Sequence, residues 1–232
     1  LRVLAEKLRR EEIELTLLTP RADGFIDPED VRGALRKNTR LIAVTHASNV
    51  TGAIQPVAAV GQVAREAGVA FLVDGAQALG AMPVDVNALN CQLYAFPGHK
   101  GLLGPQGTGG LYIDAELDLQ PLREGGTGSS SESMLQPTER PERYESGTLN
   151  LPGLAGLGAG ARYVRENLAQ IFMREREVTT ALYDGLREIA GVEVYAPAEE
   201  AARAGIISFN AGDLTSSEAA DYLDREGIAV RG

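Results

Sequence analysis

Three short runs bring together residue types that could do covalent chemistry on a carbonyl group. They are Thr45-His46-Ala47-Ser48-Asn49, Val73-Asp74-Gly75-Ala76-Gln77 and Phe96-Pro97-Gly98-His99-Lys100. Lys100 stands in a glycine-flanked turn beside a histidine, just upstream of Gly104-Pro105-Gln106-Gly107-Thr108-Gly109. A lysine that attacks a carbonyl must be available unprotonated, and burial and nearby cations tune it to that state. A loop lysine otherwise is simply solvated. Asp74 leaves the apolar run Phe71-Leu72-Val73, so its carboxylate is partly desolvated and needs a partner. A protonated pyridine nitrogen suits it, which is how proteins hold pyridoxal phosphate (PLP) opposite a lysine Schiff base. Capping a following helix is the plainer role for Asp74, and the two roles are compatible. The two histidines of the chain, His46 and His99, both fall at the ends of expected strands, and His99 could donate to a phosphate.

Other chemistries find less support. Two distant histidines and a single cysteine make no zinc spacing. The Gly104 to Gly109 run lacks the lysine-serine/threonine ending of a nucleotide-binding loop, and no dinucleotide fingerprint follows a strand. Cys91, entering a strand within Leu89-Asn90-Cys91-Gln92-Leu93, reads as a small buried thiol rather than a nucleophile.

The elements that must position these residues alternate. A helix around Leu4 and Leu8 precedes a strand over 13–18. Asp27-Pro28-Glu29-Asp30 starts a helix: a cap, a proline in the first turn, then acids near the positive helix end. The apolar run 41–44 fits a buried parallel strand. Pro56 opens a helix whose apolar side is Val57, Val60, Val63, Ala64 and Ala67, and Gly68 ends it. Strands are expected over 69–73, 93–96 and 109–113, with a small helix near Gln77. Short joins between alternating strands and helices argue an α/β domain with a mostly parallel sheet, whose chemistry collects at the carboxyl ends of the strands. Residues 125–147 lack periodicity and read as a functional loop or interface arm. From Pro152 a long helix begins, with Leu168, Ile171, Val178, Leu182, Leu186 and Ile189 as its apolar residues. Strands over 192–195, 206–209 and 228–230, with a helix over 216–225, form a small α+β tail.

Composition sets the class. Of 232 residues, 44% are hydrophobic and 23% charged, as in a globular chain rather than a disordered tail. The net charge of -10 and the lack of a basic patch argue against a nucleic-acid partner. One cysteine rules out a disulfide scaffold and points to a reducing compartment, the cytoplasm by default. No apolar run reaches membrane-span length. The chain opens on Leu1 and closes on Gly227-Ile228-Ala229-Val230-Arg231-Gly232, and further sequence is expected on both sides.

The blocks Thr45 to Gly52, Val73 to Gln77, Ala95 to Lys100 and Gly104 to Gly109, in this order and spacing, resemble the class V PLP-dependent enzymes of fold type I, above all cysteine desulfurases. Arg143 to Asn150 resembles the family's next landmark, and Gly227 to Gly232 the approach to its C-terminal catalytic loop. The resemblance covers nearly the whole chain. It implies an α/β fold of the PLP-dependent transferase type, with a mostly parallel central sheet flanked by helices and an incomplete small C-terminal α+β domain. Residues 1–150 would belong to the large PLP-binding domain, with an interface loop near 125–147. Residues 151–232 would be the linking helix and part of the small domain. It further implies that Lys100 is the Schiff-base lysine and that Asp74 pairs with the pyridine nitrogen. Gln77 would donate to the phenolic oxygen, Asn49 would lie near that oxygen and the substrate carboxylate, and His99 would reach the phosphate. Thr127 would contact the phosphate of a neighbouring subunit in a homodimer. The implied reaction takes L-cysteine to L-alanine, passing sulfur to an enzyme cysteine expected beyond Gly232 and then to a sulfur-acceptor protein. A class V aminotransferase, a selenocysteine-lyase-like enzyme or an inactive PLP-fold fragment are the alternatives. One departure lies inside the blocks: Pro97 stands where many members carry a serine or threonine phosphate ligand.

Overall fold

The computed structural model describes residue 6, residues 8–126, residue 128 and residues 134–232. Its centre is a four-stranded sheet of β1 (Leu41–Thr45), β2 (Ala70–Asp74), β3 (Leu93–Pro97) and β4 (Gly109–Ile113), in that spatial order. β1, β2 and β3 run parallel, and β4 returns antiparallel to β3.

Side-chain alternation divides the sheet into two faces. Phe71, Val73 and Tyr94 point to one face and are buried. There α1 (Pro28–Ala34) and α2 (Val57–Ala67) supply Val31, Val57, Val60, Val63 and Ala64, which close the main core. Local chemistry sets both helices. The Asp27 side chain accepts from the Glu29 amide with Pro28 in the first turn, and Gly68 ends α2 at φ 64. Leu41, Ala43, Thr45, Asp74 and Leu111 project from the other face and are exposed.

A 37-residue helix, α3 (Leu151–Arg187), leads to an antiparallel pair, β5 (Val192–Tyr195) and β6 (Ser208–Ala211), and to α4 (Ser216–Arg225). A capping box between Thr215 and Glu218 starts α4. The α/β class, the mostly parallel sheet and the smaller C-terminal α+β region therefore match the sequence expectation.

Several elements differ from it. Residues 13–18 form no strand and pair with none among the described residues; Ile13, Leu15 and Leu17 stay exposed. The helix expected near Gln77 is a run of turns, in which Ala78 and Leu79 amides both donate to the Gly75 carbonyl. The strand expected over 206–209 starts at Ser208, where pairing with Tyr195 begins. Residues 228–230 form no strand; the Ile228 amide instead closes the end of α4 on the Leu223 carbonyl. On α3 the packed residues are Val164, Thr179 and Tyr183, whereas Val178 and Leu182 are half exposed. The neighbours of this helix lie on its glycine-rich and aromatic side. Among the described residues no helix is long and apolar enough to cross a membrane.

Candidate active site

Parallel register aligns the carboxyl ends of three strands. Thr45 pairs with Asp74, and Asp74 with Ala95. The runs that follow therefore start side by side, about 5 Å apart. Asn49 leaves β1, Gln77 follows β2, and His99 and Lys100 follow β3.

Asp74 ends β2 on the exposed face, and its Oδ1 accepts the Ala76 amide at 2.9 Å. That bond caps a turn rather than a helix, and it leaves the carboxylate with acceptor capacity to spare. Immediately behind it, a Cβ on Gly75 would fall closer than 3.0 Å to the Tyr94 ring. The Tyr94 hydroxyl lies 3.0 Å from His46 Nδ1 in a hydrogen bond. His46 is 6% exposed and Tyr94 1%, so the pair is a dry strut that crosses behind β2 from β3 to β1. Burial pushes His46 down to about 4 and raises the Tyr94 phenol, so the imidazole is neutral at pH 7. Of the two histidines at strand ends, His46 thus serves the scaffold, while His99 stays exposed beside Lys100.

The Lys100 turn is held by its own backbone. Gly98 donates to the Thr108 carbonyl at 2.7 Å, Gly104 to the Gly98 carbonyl at 2.7 Å, and Leu103 to the Lys100 carbonyl at 2.8 Å. The first half of α3 lies directly on the following loop: a Cβ on Gly160 would come within 3.0 Å of the Leu102 carbonyl oxygen. The Lys100 amine itself has no hydrogen-bond or ion-pair partner among the described residues and is exposed. Thr127 lies outside the described residues. A concavity of about 340 Å³ is lined by Arg21, Phe25, Asp27, Ile54 and Pro56 and includes none of Asp74, Gln77, His99 and Lys100.

A carboxylate, a primary amine, two amides and an imidazole at one sheet edge are the donor set that PLP needs: an anion for the ring nitrogen, an amine for the aldehyde, donors for the phenolic oxygen and phosphate. Among the described residues no cluster could hold a metal ion.

A model of the aminotransferase class-V family matches residues 2–232. The chain belongs to this family. A probable cysteine desulfurase of Methanothermobacter thermautotrophicus is 37% identical over 231 residues, covering 97% of this chain and 57% of that protein. A cysteine desulfurase of Klebsiella pneumoniae is 39% identical, covering 94% of this chain and 54% of its own. The chain therefore spans a little over half the length of the curated relatives it matches. Among solved structures, the apo cysteine desulfurase of Thermococcus onnurineus NA1 superposes with a TM-score of 0.84 at 34% identity, covering 99% of this chain and 57% of that one. A NifS-like protein shares the fold at TM-score 0.85 and 22% identity, over 99% of this chain and 59% of its own. Membership in the class V family implies PLP as the cofactor.

Sequence reasoning missed the strut. Tyr94 reads as one more apolar position of a buried strand. The one local signal is Gly75, a glycine directly after a strand-ending aspartate, which marks a close approach of another group.

Proposed function

We propose that the protein carrying this chain is a PLP-dependent cysteine desulfurase that converts L-cysteine to L-alanine and transfers sulfur to a thiol. The observation that supports it is the alignment of Asp74, Gln77 and the Lys100 turn on register-matched parallel strands. PLP, when bound, supplies an electron sink for bonds at the substrate's α carbon. Lys100 would hold the aldehyde carbon, and its amine would carry a proton to and from the substrate's α carbon. The Asp74 carboxylate keeps the ring nitrogen protonated. Gln77 donates an amide hydrogen toward the phenolic oxygen, Asn49 serves that oxygen and the substrate carboxylate, and His99 and Thr127 serve phosphate oxygens. Pro97 offers no hydroxyl there.

The sulfur step needs a thiolate in near-attack geometry. Cys91 does not qualify. Burial pushes its thiol up to about 11, so it is protonated at neutral pH. It also precedes β3, whose far end carries the lysine turn; the six residue steps from Cys91 to Pro97 span roughly 20 Å of extended chain. The accepting thiol therefore comes from outside these 232 residues, and the 232-residue chain alone should release no sulfide above background. We further assign residues 1–150 to the cofactor-binding domain and 151–232 to the linking helix and part of a small domain. The protein would act as a cytoplasmic homodimer whose 125–147 loop lines the partner's site, with a separate acceptor protein for the sulfur.

The test is chemical. Borohydride reduction of the complete protein with PLP should place the pyridoxyl group on Lys100 by peptide mass spectrometry, and L-cysteine, with an added thiol reductant to reduce the persulfide, should yield alanine and sulfide in equal amounts. An adduct on another lysine would sink the assignment. Keto-acid formation without sulfide would make the protein a class V aminotransferase.

A further inference from the structure

The loop that carries Asn49 is gripped from outside by the C-terminal part of the chain. Within the loop, Ser48 donates its amide to the Ala53 carbonyl at 2.9 Å, and its Oγ accepts the Val50 and Thr51 amides at 3.1 Å each. Beyond the loop, residues 202–208 run against it. Ile54 donates to the Ala202 carbonyl at 2.9 Å, Ala204 donates to the Gly52 carbonyl at 2.8 Å, and the Ser208 hydroxyl donates to the Val50 carbonyl at 2.6 Å. The approach is close enough to require glycine: Gly52 sits at φ 71, and a Cβ there would come within 3.0 Å of the Ile206 carbonyl oxygen.

That segment is itself anchored. Arg203 is 5% exposed, lies 3.8 Å from the centroid of the Tyr183 ring on α3, and donates to the Pro197 carbonyl at 3.1 Å. Stacking on an aromatic face is a strong way to hold a desolvated guanidinium. Ala47, from the run after β1, and Ala204 join Ala78 and Met82 in one small cluster against Phe172 of α3. The β1 loop, the turn after β2, the long helix and the 202–208 segment therefore meet at one packed junction. Asn49 lies on that loop and is exposed.

We infer that residues 202–208 are a clamp that positions Asn49, with Ser208 as the positioning residue at the loop and Arg203 on Tyr183 as its anchor. The inference rests on the PLP reading of the site. The clamp seizes the loop at Val50, Gly52 and Ile54, all on one side of Asn49, so the amide is aimed by the C-terminal region and not by the strand alone. Ser208 touches no substrate. Its effect runs through the Val50 carbonyl, one residue from Asn49.

The experiment is a double-mutant cycle in the complete holoenzyme, with Ser208→Ala, Asn49→Ala and both together. Ser208→Ala should raise the KM for L-cysteine about threefold to tenfold, the worth of one hydrogen bond, with kcat changed less than twofold. Hydrogen exchange at the amides of residues 50–54 should quicken in the same variant. In the Asn49→Ala background the second substitution should change KM no further. A KM that does not respond to Ser208→Ala, or effects that multiply across the two sites, would overturn the clamp. If the wild-type protein takes no PLP on Lys100, the reading of the site falls and the clamp's role with it. That result differs from a holoenzyme in which the cycle is additive.

Discussion

Placing alanine at Gly75 tests the strut behind the site directly. The new methyl would fall well within 3.0 Å of the Tyr94 ring, so the ring or the Asp74–Gln77 turn must retreat by roughly 1.5 Å to reach ordinary contact. A flexible side chain would yield cheaply. Tyr94 cannot, since it is 1% exposed and its hydroxyl is held by the buried His46. Overpacking of this kind costs about 1–3 kcal/mol, against a gain of at most about 1 kcal/mol from the stiffer unfolded chain. At about 2–4 °C per kcal/mol for a chain of this size, the melting temperature should fall several degrees. If the turn is what moves, Asp74 shifts with it, and an error of about 1 Å at a catalytic group costs on the order of 100-fold in turnover. Thermal unfolding by circular dichroism reads the first effect and steady-state sulfide release by the complete enzyme the second. In a Tyr94→Leu background, which makes room for the methyl, Gly75→Ala should cost less than it does in the wild type. A Gly75→Ala protein that melts within 1 °C of wild type and turns over normally would show that the turn does not rest on Tyr94.

Two further outcomes follow from the same groups. Asp74→Asn should retain PLP, read as visible absorbance, yet lose at least about 100-fold in turnover, or about 2.7 kcal/mol of barrier, because a neutral amide cannot keep the ring nitrogen protonated; near-wild-type turnover with full cofactor would refute that role. His46 is held neutral down to about pH 4, whereas in the unfolded chain it takes up a proton near pH 6.5. The unfolded state thus binds more protons between those values, and stability should fall as pH drops from about 6.5 to 4, by on the order of 3 kcal/mol. Melting curves of His46→Gln over this range should be flatter by one proton, and an unchanged slope would mean the imidazole is not buried neutral.

What could be read from the residues alone was local. Asp27-Pro28 and Gly68 carry their own backbone chemistry, and the elements they bound lie where the sequence places them. The strand ends were legible for the same reason, since an apolar run followed by polar and glycine residues needs no distant partner to be recognised. Residues 13–18 show the limit: the pattern is that of a strand, but a strand exists only where a neighbour pairs with it. The same holds for the stripe on α3. Counting aliphatic residues selects Val178 and Leu182, but the neighbours lie on the side of Thr179 and Tyr183, where Arg203 stacks. Asp74, Gln77, His99 and Lys100 stood out because each ends or follows a strand, and their roles came from the family resemblance. Tyr94 with His46, 48 residues away, and Ser208 with Val50, 158 residues away, did not. Those contacts depend on how the chain returns, which no local spacing encodes.

The long helix has a consequence for how the chain can change length. Its first half lies on the loop after Lys100 through Gly156 and Gly160, and its second half carries Phe172, Thr179 and Tyr183 against the segment that grips the Asn49 loop. Each residue of an α-helix advances about 1.5 Å and turns about 100°. One residue inserted between Val164 and Phe172 would swing Tyr183 away from Arg203 while leaving Gly160 in place. The shortest insertion that brings the faces back to within about 20° is about seven residues, and it lengthens the span by roughly 10 Å. The middle of α3 is thus a fixed spacer between the two contacts, closed to small insertions and deletions although most of its side chains face solvent.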